Sequence, residues 1–284
     1  MHTTIIKSNL TAVINSQGAE LISLKNNLNQ REYVWEGHPD FWAKHSPVLF
    51  PIVGTLKNNS YTYQNKKYNL QRHGFARDHD FEIIHQTDQE VIFSLKANDE
   101  TFKMYPFDFE LQIGYVLDGM QLTVRYKIIN KTADVMPFSI GAHPAFALPE
   151  RFSSYVLEFE NDKTLLSYLL KNDLISDTTL LIPTQNNQLP LSYDLFDNDA
   201  LIFKNLQSRK VTILESGNPL LHLCFNDFPH FGIWTKRDAP FICLEPWLGY
   251  ADLSNNSGEF VKKEALQFIK PKSNFTCAFS IEIL

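Results

Sequence analysis

Alternation of apolar and polar residues is the feature of this sequence that most limits its fold. Apolar side chains occupy every second position in residues 109–115 and again in 122–128, on either side of Asp118-Gly119. A period of two places those side chains on one face of a β-strand, and an Asp-Gly step between two such runs is typical of a tight hairpin. Residues 109–130 are therefore predicted to form two antiparallel strands joined by a short turn.

The same alternation recurs near the start of the chain, around residue 60 and around residue 215, with Asn, Gly, Ser and Pro clusters between the runs. Helical periodicity is found only in residues 39–42 and 163–171, which we expect to be short helices. No linker, low-complexity tract or fixed-period repeat divides the chain. We therefore predict an all-β protein, a single domain over residues 1–284 built as an antiparallel sandwich, with its 22 phenylalanines packed between two sheets.

Charge and composition exclude several classes of partner. The formal net charge is -6, without a long run of either sign, which argues against nucleic acid or an anionic membrane as a partner. The N-terminal residues lack the order of a signal peptide, and the three cysteines are widely spaced among hydrophobic residues. We expect a cytoplasmic protein, a monomer or weak homodimer, without disulfides and with a neutral or lightly charged small-molecule ligand.

Common cofactor motifs are absent from the sequence. It contains no Gly-rich phosphate loop, no G-x-S-x-G, no CxxC and no H-E-x-x-H. His73, His79 and His85 recur every six residues. In an extended chain, neighbouring members of this series would lie roughly 20 Å apart, too far to share one metal ion. We therefore expect neither a metal nor a nucleotide cofactor.

Two ionisable residues directly precede prolines in apolar surroundings: His143 before Pro144 and Glu245 before Pro246. A proline limits the preceding residue to extended conformations and usually marks a strand edge, bulge or end. Read alone, His143 is either a structural residue or a catalytic one. Glu245 is either a glutamate at a strand end that reaches solvent, or a carboxylate whose apolar setting raises its proton affinity and makes it a base near neutral pH.

Aromatic residues accompany these candidates. Trp247 lies two positions after Glu245 and offers a flat apolar face of the kind that packs against the C–H face of a sugar ring. Phe75, near His73, and Phe146, near His143, belong either to the same pocket or to the core.

Taken together, the motifs resemble the aldose 1-epimerases, also called galactose mutarotases, and in particular their LacX-like branch. The resemblance covers nearly the whole chain in six ordered segments: SPVLFPIVGTLKNNSY, RHGFARDHDF, MYPFDFEL, NKTADVMPFSIGAHPAF, FDNDALIFKNLQSRKVTI and FPHFGIWTKRDAPFICLEPWLGYAD. It implies a galactose mutarotase-like β-sandwich with a sugar site on its concave face, and an activity that needs no metal or nucleotide.

The resemblance also implies roles for individual residues. Glu245 matches the general base that takes the proton from the anomeric O1 hydroxyl, and His143 matches the general acid that protonates the ring oxygen O5. His73 matches the second histidine of the family site, and Asp199 the aspartate that binds sugar hydroxyls, although a turn carboxylate is the alternative for Asp199. Activity is expected to fall in acid as Glu245 is protonated and in alkali as His143 loses its proton.

The sequence departs from the family where the substrate would be recognised. Thr55 stands where relatives commonly carry an arginine, and Arg72 stands where they often carry glutamine. Arg72 or Arg77 would replace the missing guanidinium, or would favour a phosphorylated sugar if it pointed into the cleft. The leading interpretation is an epimerase of a free aldohexose such as galactose or glucose. The alternatives are a hexose-6-phosphate 1-epimerase and a non-catalytic sugar-binding or sensor protein; a glycosidase ranks last.

Overall fold

A computed structural model describes residues 1–284, and β-strands dominate it. The 24 strands are β1 His2–Lys7, β2 Leu10–Asn15, β3 Glu20–Asn26, β4 Val48–Leu49, β5 Ser60–Tyr63, β6 Lys66–Asn69, β7 Glu82–Gln86, β8 Glu90–Lys96, β9 Phe109–Asp118, β10 Gln121–Asn130, β11 Met136–Phe138, β12 Ile140–Ala142, β13 Ala145–Ala147, β14 Tyr155–Phe159, β15 Thr164–Lys171, β16 Leu174–Pro183, β17 Gln188–Pro190, β18 Leu201–Phe203, β19 Lys210–Glu215, β20 Asn218–Cys224, β21 His230–Trp234, β22 Phe241–Leu248, β23 Gln267–Ile269 and β24 Asn274–Ile283. One α-helix, α1, spans Asp99–Met104. The 3-10 helices are Lys57–Asn59, Ala76–Asp78, Phe152–Ser154, Tyr193–Phe196 and Phe260–Lys262.

The predicted hairpin is confirmed. Strands β9 and β10 pair along their whole length, and Gln121 lies opposite Asp118. Gly119 takes a φ of 58° in the two-residue turn between them, a backbone conformation that glycine adopts without strain.

Both helix predictions were wrong. Residues 164–171 form β15, whose first four residues alternate between exposed and buried, and which pairs with β16 as a separate two-stranded sheet. Residues 39–42 contain turns but no helix. The helix that does form, α1, is a single capped turn, in which the Asn98 side chain accepts hydrogen bonds from the backbone N–H groups of Glu100 and Thr101.

Two sheets form the sandwich, and all the strand pairs in them are antiparallel. The larger has nine strands in the order β17-β14-β19-β20-β24-β10-β9-β8-β7. The smaller contains β18-β21-β22-β12-β4, with β13 also paired to β22. A cluster of 70 buried hydrophobic residues forms the core. The β-sandwich prediction is confirmed.

Strand β22 is central because all eight of its residues are buried. Successive side chains of a strand point to opposite faces. Ile242, Leu244 and Leu248 join the main core, whereas Cys243 and Trp247 join smaller clusters. The second face of β22, which also carries Glu245, therefore supports the candidate site. No helix in the structure is long and apolar enough to cross a membrane.

Candidate active site

Glu245 projects from the second face of β22, and its side chain is 2% exposed. The alternative of a strand-end glutamate that reaches solvent is therefore wrong. The proline after it lies within the strand. Strand β12 pairs with Leu248 and Trp247 of β22, and β13 pairs with residues 241–243 of the same strand. Pro246 lies between these two segments, where β22 is paired with neither strand, so its missing N–H breaks no ladder hydrogen bond on this side.

His143 occupies that interruption, between the end of β12 and the start of β13. Its Nε2 lies 3.2 Å from Oε2 of Glu245. The imidazole stacks on Trp42, with ring centroids 4.8 Å apart, and meets the rings of Trp234 and His73 edge to face at 6.0 Å and 5.8 Å. Aromatic rings thus hold the imidazole against the carboxyl group.

Burial decides where the proton of this pair resides. It raises the pKa of Glu245 well above its usual range, an effect that the positive charge of Arg72 only partly offsets. It also lowers the pKa of His143 to about 3. Both shifts favour the uncharged form of each group, a protonated Glu245 beside a neutral His143. The sequence expectation placed that proton on His143; the two arrangements contain the same number of protons and differ by one transfer over 3.2 Å.

His73 is held by the backbone of the loop around Gly54. The two residues exchange hydrogen bonds, from His73 N–H to the Gly54 carbonyl (2.9 Å) and from Gly54 N–H to His73 Nδ1 (3.1 Å). Burial, together with the nearby His143 and the charges of Arg72 and Arg77, lowers the pKa of His73. A neutral imidazole that accepts at Nδ1 carries its hydrogen on Nε2. Nε2 of His73 is therefore a donor.

Arg72 lies against the same imidazole, with its Nε 3.3 Å from His73 Nε2. One neutral imidazole offers only one acceptor nitrogen, so one of the two N–H donors facing it must turn away. Arg72 is the freer of the two because its side chain is 44% exposed and pairs with Asp173 at 3.4 Å.

His73 and Asp199 both have left-handed backbones, with φ of 69° and 78°. Such angles are uncommon outside glycine and are often retained at binding sites. The Asp199 carboxylate accepts a hydrogen bond from the backbone N–H of Ala200 at 2.7 Å.

A single cavity of about 560 Å³ brings most of the predicted residues together. Glu245, His143, His73, Asp199, Arg72, Arg77, Trp247 and Thr55 all line it. Phe75 does not: it is 4% exposed and packs in the main core against the rings of Phe50, Tyr105 and Phe109. The pocket interpretation of Phe75 is corrected accordingly, because its ring is part of the main core cluster.

The sequence reasoning missed other lining residues, among them Trp42, Trp234 and Lys236. Trp234 and Lys236 lie in the segment FPHFGIWTKRDAPFICLEPWLGYAD, so their proximity to Glu245 in sequence was an available signal. Trp42 gave none, since it lies about a hundred positions before the imidazole on which it stacks.

Unpaired polar atoms concentrate at this cavity. Six buried side-chain polar atoms have no hydrogen-bond partner, and five belong to lining residues: Thr55, Arg77, His143, Glu245 and Trp247. Buried polar atoms in folded proteins are normally paired, so the cluster makes this cavity the candidate site for a polar ligand.

Three residues bring atoms that could bind a metal close together. Ligand atoms of His143, Cys243 and Glu245 lie within 4.8 Å of one another. Cys243, however, does not line the cavity; it packs with Trp35 and Phe241, and burial raises the pKa of its thiol well above the usual value. A metal would need the thiolate, which that environment disfavours. Of the three evenly spaced histidines, only His73 lines the cavity.

The family model for aldose 1-epimerase matches residues 1–266 of this chain. The chain belongs to the aldose 1-epimerase family. Among curated relatives in this family, the plasmid-encoded protein LacX of Lactococcus lactis subsp. lactis is 33% identical over 97% of each chain. The family assignment and the LacX-like branch predicted from the sequence are thereby confirmed.

Solved structures agree with this membership of the aldose 1-epimerase family. A galactose mutarotase related enzyme from Lactobacillus acidophilus is 36% identical and superposes with a TM-score of 0.95, covering 100% of this chain and 97% of its own. A galactose mutarotase-like protein from Lactobacillus casei is 33% identical, with a TM-score of 0.94 and full coverage of both chains.

Proposed function

We propose that this protein is an aldose 1-epimerase that interconverts the α and β anomers of a free aldohexose such as galactose or glucose. The observation that carries this proposal is the buried contact of 3.2 Å between His143 Nε2 and Glu245 Oε2, in residues that line an open cavity. Anomer exchange requires one group that removes a proton from O1 and another that donates a proton to O5. O1 and O5 are both bonded to C1, so the two groups must be close together.

The proposed reaction conserves the single proton of the pair. After proton transfer from Glu245 to His143, the carboxylate accepts the O1 proton while His143 donates to O5. The C1–O5 bond breaks, C1 becomes an aldehyde, and the pair returns to protonated Glu245 beside neutral His143. Rotation about C1–C2 and the reverse transfers close the ring as the other anomer.

The remaining lining residues fit the binding of a sugar. The Nε2–H of His73 donates to the ring-oxygen region or to a neighbouring hydroxyl, and the Asp199 carboxylate accepts from hydroxyl groups. Trp247 presents an indole to the C–H face of the ring. The five lining residues with unpaired buried polar atoms would gain partners from the sugar hydroxyls.

Anomer exchange in solution tests the proposal directly. Magnetisation-exchange NMR or polarimetry is carried out on galactose and glucose with wild type and Glu245→Gln. Wild type should accelerate exchange, and the variant should lose roughly 10²–10⁴-fold of that acceleration because one proton-transfer group is removed. Equal rates for the two proteins would exclude Glu245 as the base.

Calorimetric titration separates catalysis from binding alone. A protein that binds galactose or glucose without accelerating exchange would instead be the sugar-binding or sensor protein that Thr55 suggested at the sequence level.

Arg77 favours a second candidate, a hexose-6-phosphate 1-epimerase. Its Nε is buried without a hydrogen-bond partner, and the Asp78 carboxylate lies 3.8 Å away. Burial lowers the pKa of Arg77, which marks a guanidinium that is poorly compensated. Phosphate is a strong acceptor for such a group.

Glucose and glucose 6-phosphate compared at equal concentration distinguish the two candidates. Recognition of the phosphate by Arg77 predicts a preference for glucose 6-phosphate that Arg77→Gln reduces about tenfold or more, the scale of one lost charge-assisted hydrogen bond. A preference of wild type for the neutral sugar would count against this candidate.

A further inference from the structure

The indole of Trp247 lies across two glycines on the strands that flank its own. Strand β22 runs between β12 and β21, and Trp247 faces Gly141 of β12 while Glu245 faces Gly232 of β21. A methyl group added to Gly141 would lie 2.6 Å from Trp247 Cδ1, and one added to Gly232 would lie 2.5 Å from both Cζ2 and Cη2. The five-membered ring thus covers one glycine and the six-membered ring covers the other.

Neither glycine owes its presence to backbone conformation. Neither Gly141 nor Gly232 has a positive φ, so residues other than glycine could adopt their backbone angles. What excludes a side chain is the indole itself, which approaches both backbones more closely than a Cβ atom allows. Both strands would gain in intrinsic stability from a larger residue, since glycine weakens a strand interior.

We propose that Gly141 and Gly232 are positioning residues that seat the Trp247 indole flat against the sheet, which sets the depth of the cavity beside Glu245. This inference rests on the proposed function in one respect: the substrate that needs the depth is the aldose ring. The seat itself is independent of the reaction.

The seat controls two properties of the site. Trp247 lines the cavity and is 5% exposed, so a ring lifted off its glycines would move into the space that the sugar occupies. The indole N–H also acts to lower the pKa of Glu245, although it forms no hydrogen bond of normal length. A displaced indole would therefore weaken sugar binding and remove one influence that lowers the pKa of Glu245.

Gly232→Ala tests the proposal, with Gly114→Ala as the matched control. Gly114 lies in strand β9, has no positive φ, and would place its methyl group 3.7 Å from the nearest atom, an ordinary contact. We expect Gly232→Ala to raise KM for the aldose about tenfold with kcat within about threefold, the effect of lost ground-state binding. Gly114→Ala should change neither.

A readout that does not depend on activity is the indole N–H resonance of Trp247, one of four tryptophans, assigned from its loss in Trp247→Phe. Gly232→Ala should shift this resonance, and Gly114→Ala should leave it in place. The double variant Gly232→Ala/Trp247→Phe completes a double-mutant cycle between the added methyl group and the indole. Phenylalanine lacks Cζ2 and Cη2 of the indole, so the added methyl should have no further effect on the unfolding temperature in that background.

Two results would overturn the inference: an unshifted Trp247 resonance in Gly232→Ala, or equal losses of unfolding temperature from the methyl with and without the indole. Failure of the proposed function looks different. In that case wild type would not accelerate anomer exchange, whereas the resonance shift and the stability cycle would still report on the seat.

Discussion

Replacing Glu245 by glutamine should change the dependence of stability on pH in a direction that identifies the state of the acid-base pair. Burial raises the pKa of Glu245, so the folded protein holds this proton more tightly than the unfolded chain. This tighter proton binding stabilises the fold fully below pH 4.5, the ordinary pKa of a glutamate. The stabilisation is lost as the pH rises from 4.5 through the higher pKa that Glu245 has in the folded protein. Glutamine has nearly the same shape and cannot titrate.

The magnitude follows from linkage. Each pH unit above 4.5 at which Glu245 stays protonated in the fold removes about 1.4 kcal/mol of stability relative to glutamine. Between pH 4.5 and pH 7 the stability of the variant should therefore rise relative to that of wild type, by at most about 3.5 kcal/mol. Such a gain would accompany the loss of anomer exchange, as expected where a binding site retains an ionisable group at the expense of stability.

Urea unfolding of both proteins at pH 4.5 and pH 7 measures this difference, and Glu36→Gln, at an exposed carboxyl without an ion pair, is the control. A control difference near zero at both pH values is expected. The opposite sign for Glu245→Gln, a loss of several kcal/mol that grows toward pH 7, would refute the reasoning. It would mean that Glu245 is ionised in the fold and paired with a protonated His143.

Three further predictions follow from the charged groups. The acid-base pair should remain in its active, one-proton state from about pH 3 to well above pH 4.5, because the pKa of His143 is lowered and that of Glu245 is raised; an acid limb near pH 6 in exchange assays would contradict this. Burial acts to raise the pKa of Glu110, but hydrogen bonds from Lys131 and from neighbouring side chains outweigh it and lower the pKa to about 2. The stability that the Glu110 carboxylate provides is therefore present above pH 4.5 and lost as the pH falls toward 2. Glu110→Gln should therefore lose about 1–2 kcal/mol at pH 7 and little at pH 2 in thermal unfolding, a modest value because the lysine is partly exposed to water. Lys263→Met should destabilise the protein by about 3–5 kcal/mol, because it leaves the buried Asp252 carboxylate, 3.1 Å from the lysine, without its cation. A loss below about 1 kcal/mol in urea unfolding would show that hydrogen bonds from the backbone are enough to stabilise the Asp252 carboxylate.

Local patterns were enough to predict the fold class. Alternation and the Asp118-Gly119 step identified the central hairpin because side-chain period and turn chemistry are properties of neighbouring residues. Residues 163–171 misled the same reasoning because closely spaced leucines suit either period, and pairing with β16, which sequence alone does not reveal, selected the strand. Contacts between distant residues outweighed local preference there.

The candidate site was also predictable only where the signal was local in the sequence. Glu245 and His143 stood out because an ionisable residue before a proline in an apolar run is unusual in itself. The pKa of His143 could not be anticipated, since it depends on burial beneath rings such as Trp42 from a distant part of the chain. Phe75 was ambiguous for a related reason: whether an aromatic ring faces a pocket or the core is decided by the backbone on which its segment docks.

Thr55, at the position where the resemblance to the family implies an arginine, affects the charge of the cavity that it lines. A guanidinium in the cavity that Thr55 and Glu245 both line would act to lower the pKa of Glu245, as Arg72 already does in part. Thr55 instead contributes a buried hydroxyl without a partner. The lining of the cavity therefore favours the protonated form of Glu245. In the reaction proposed above, the hydroxyl groups of the sugar would supply hydrogen-bond partners to this lining and exchange one proton with it.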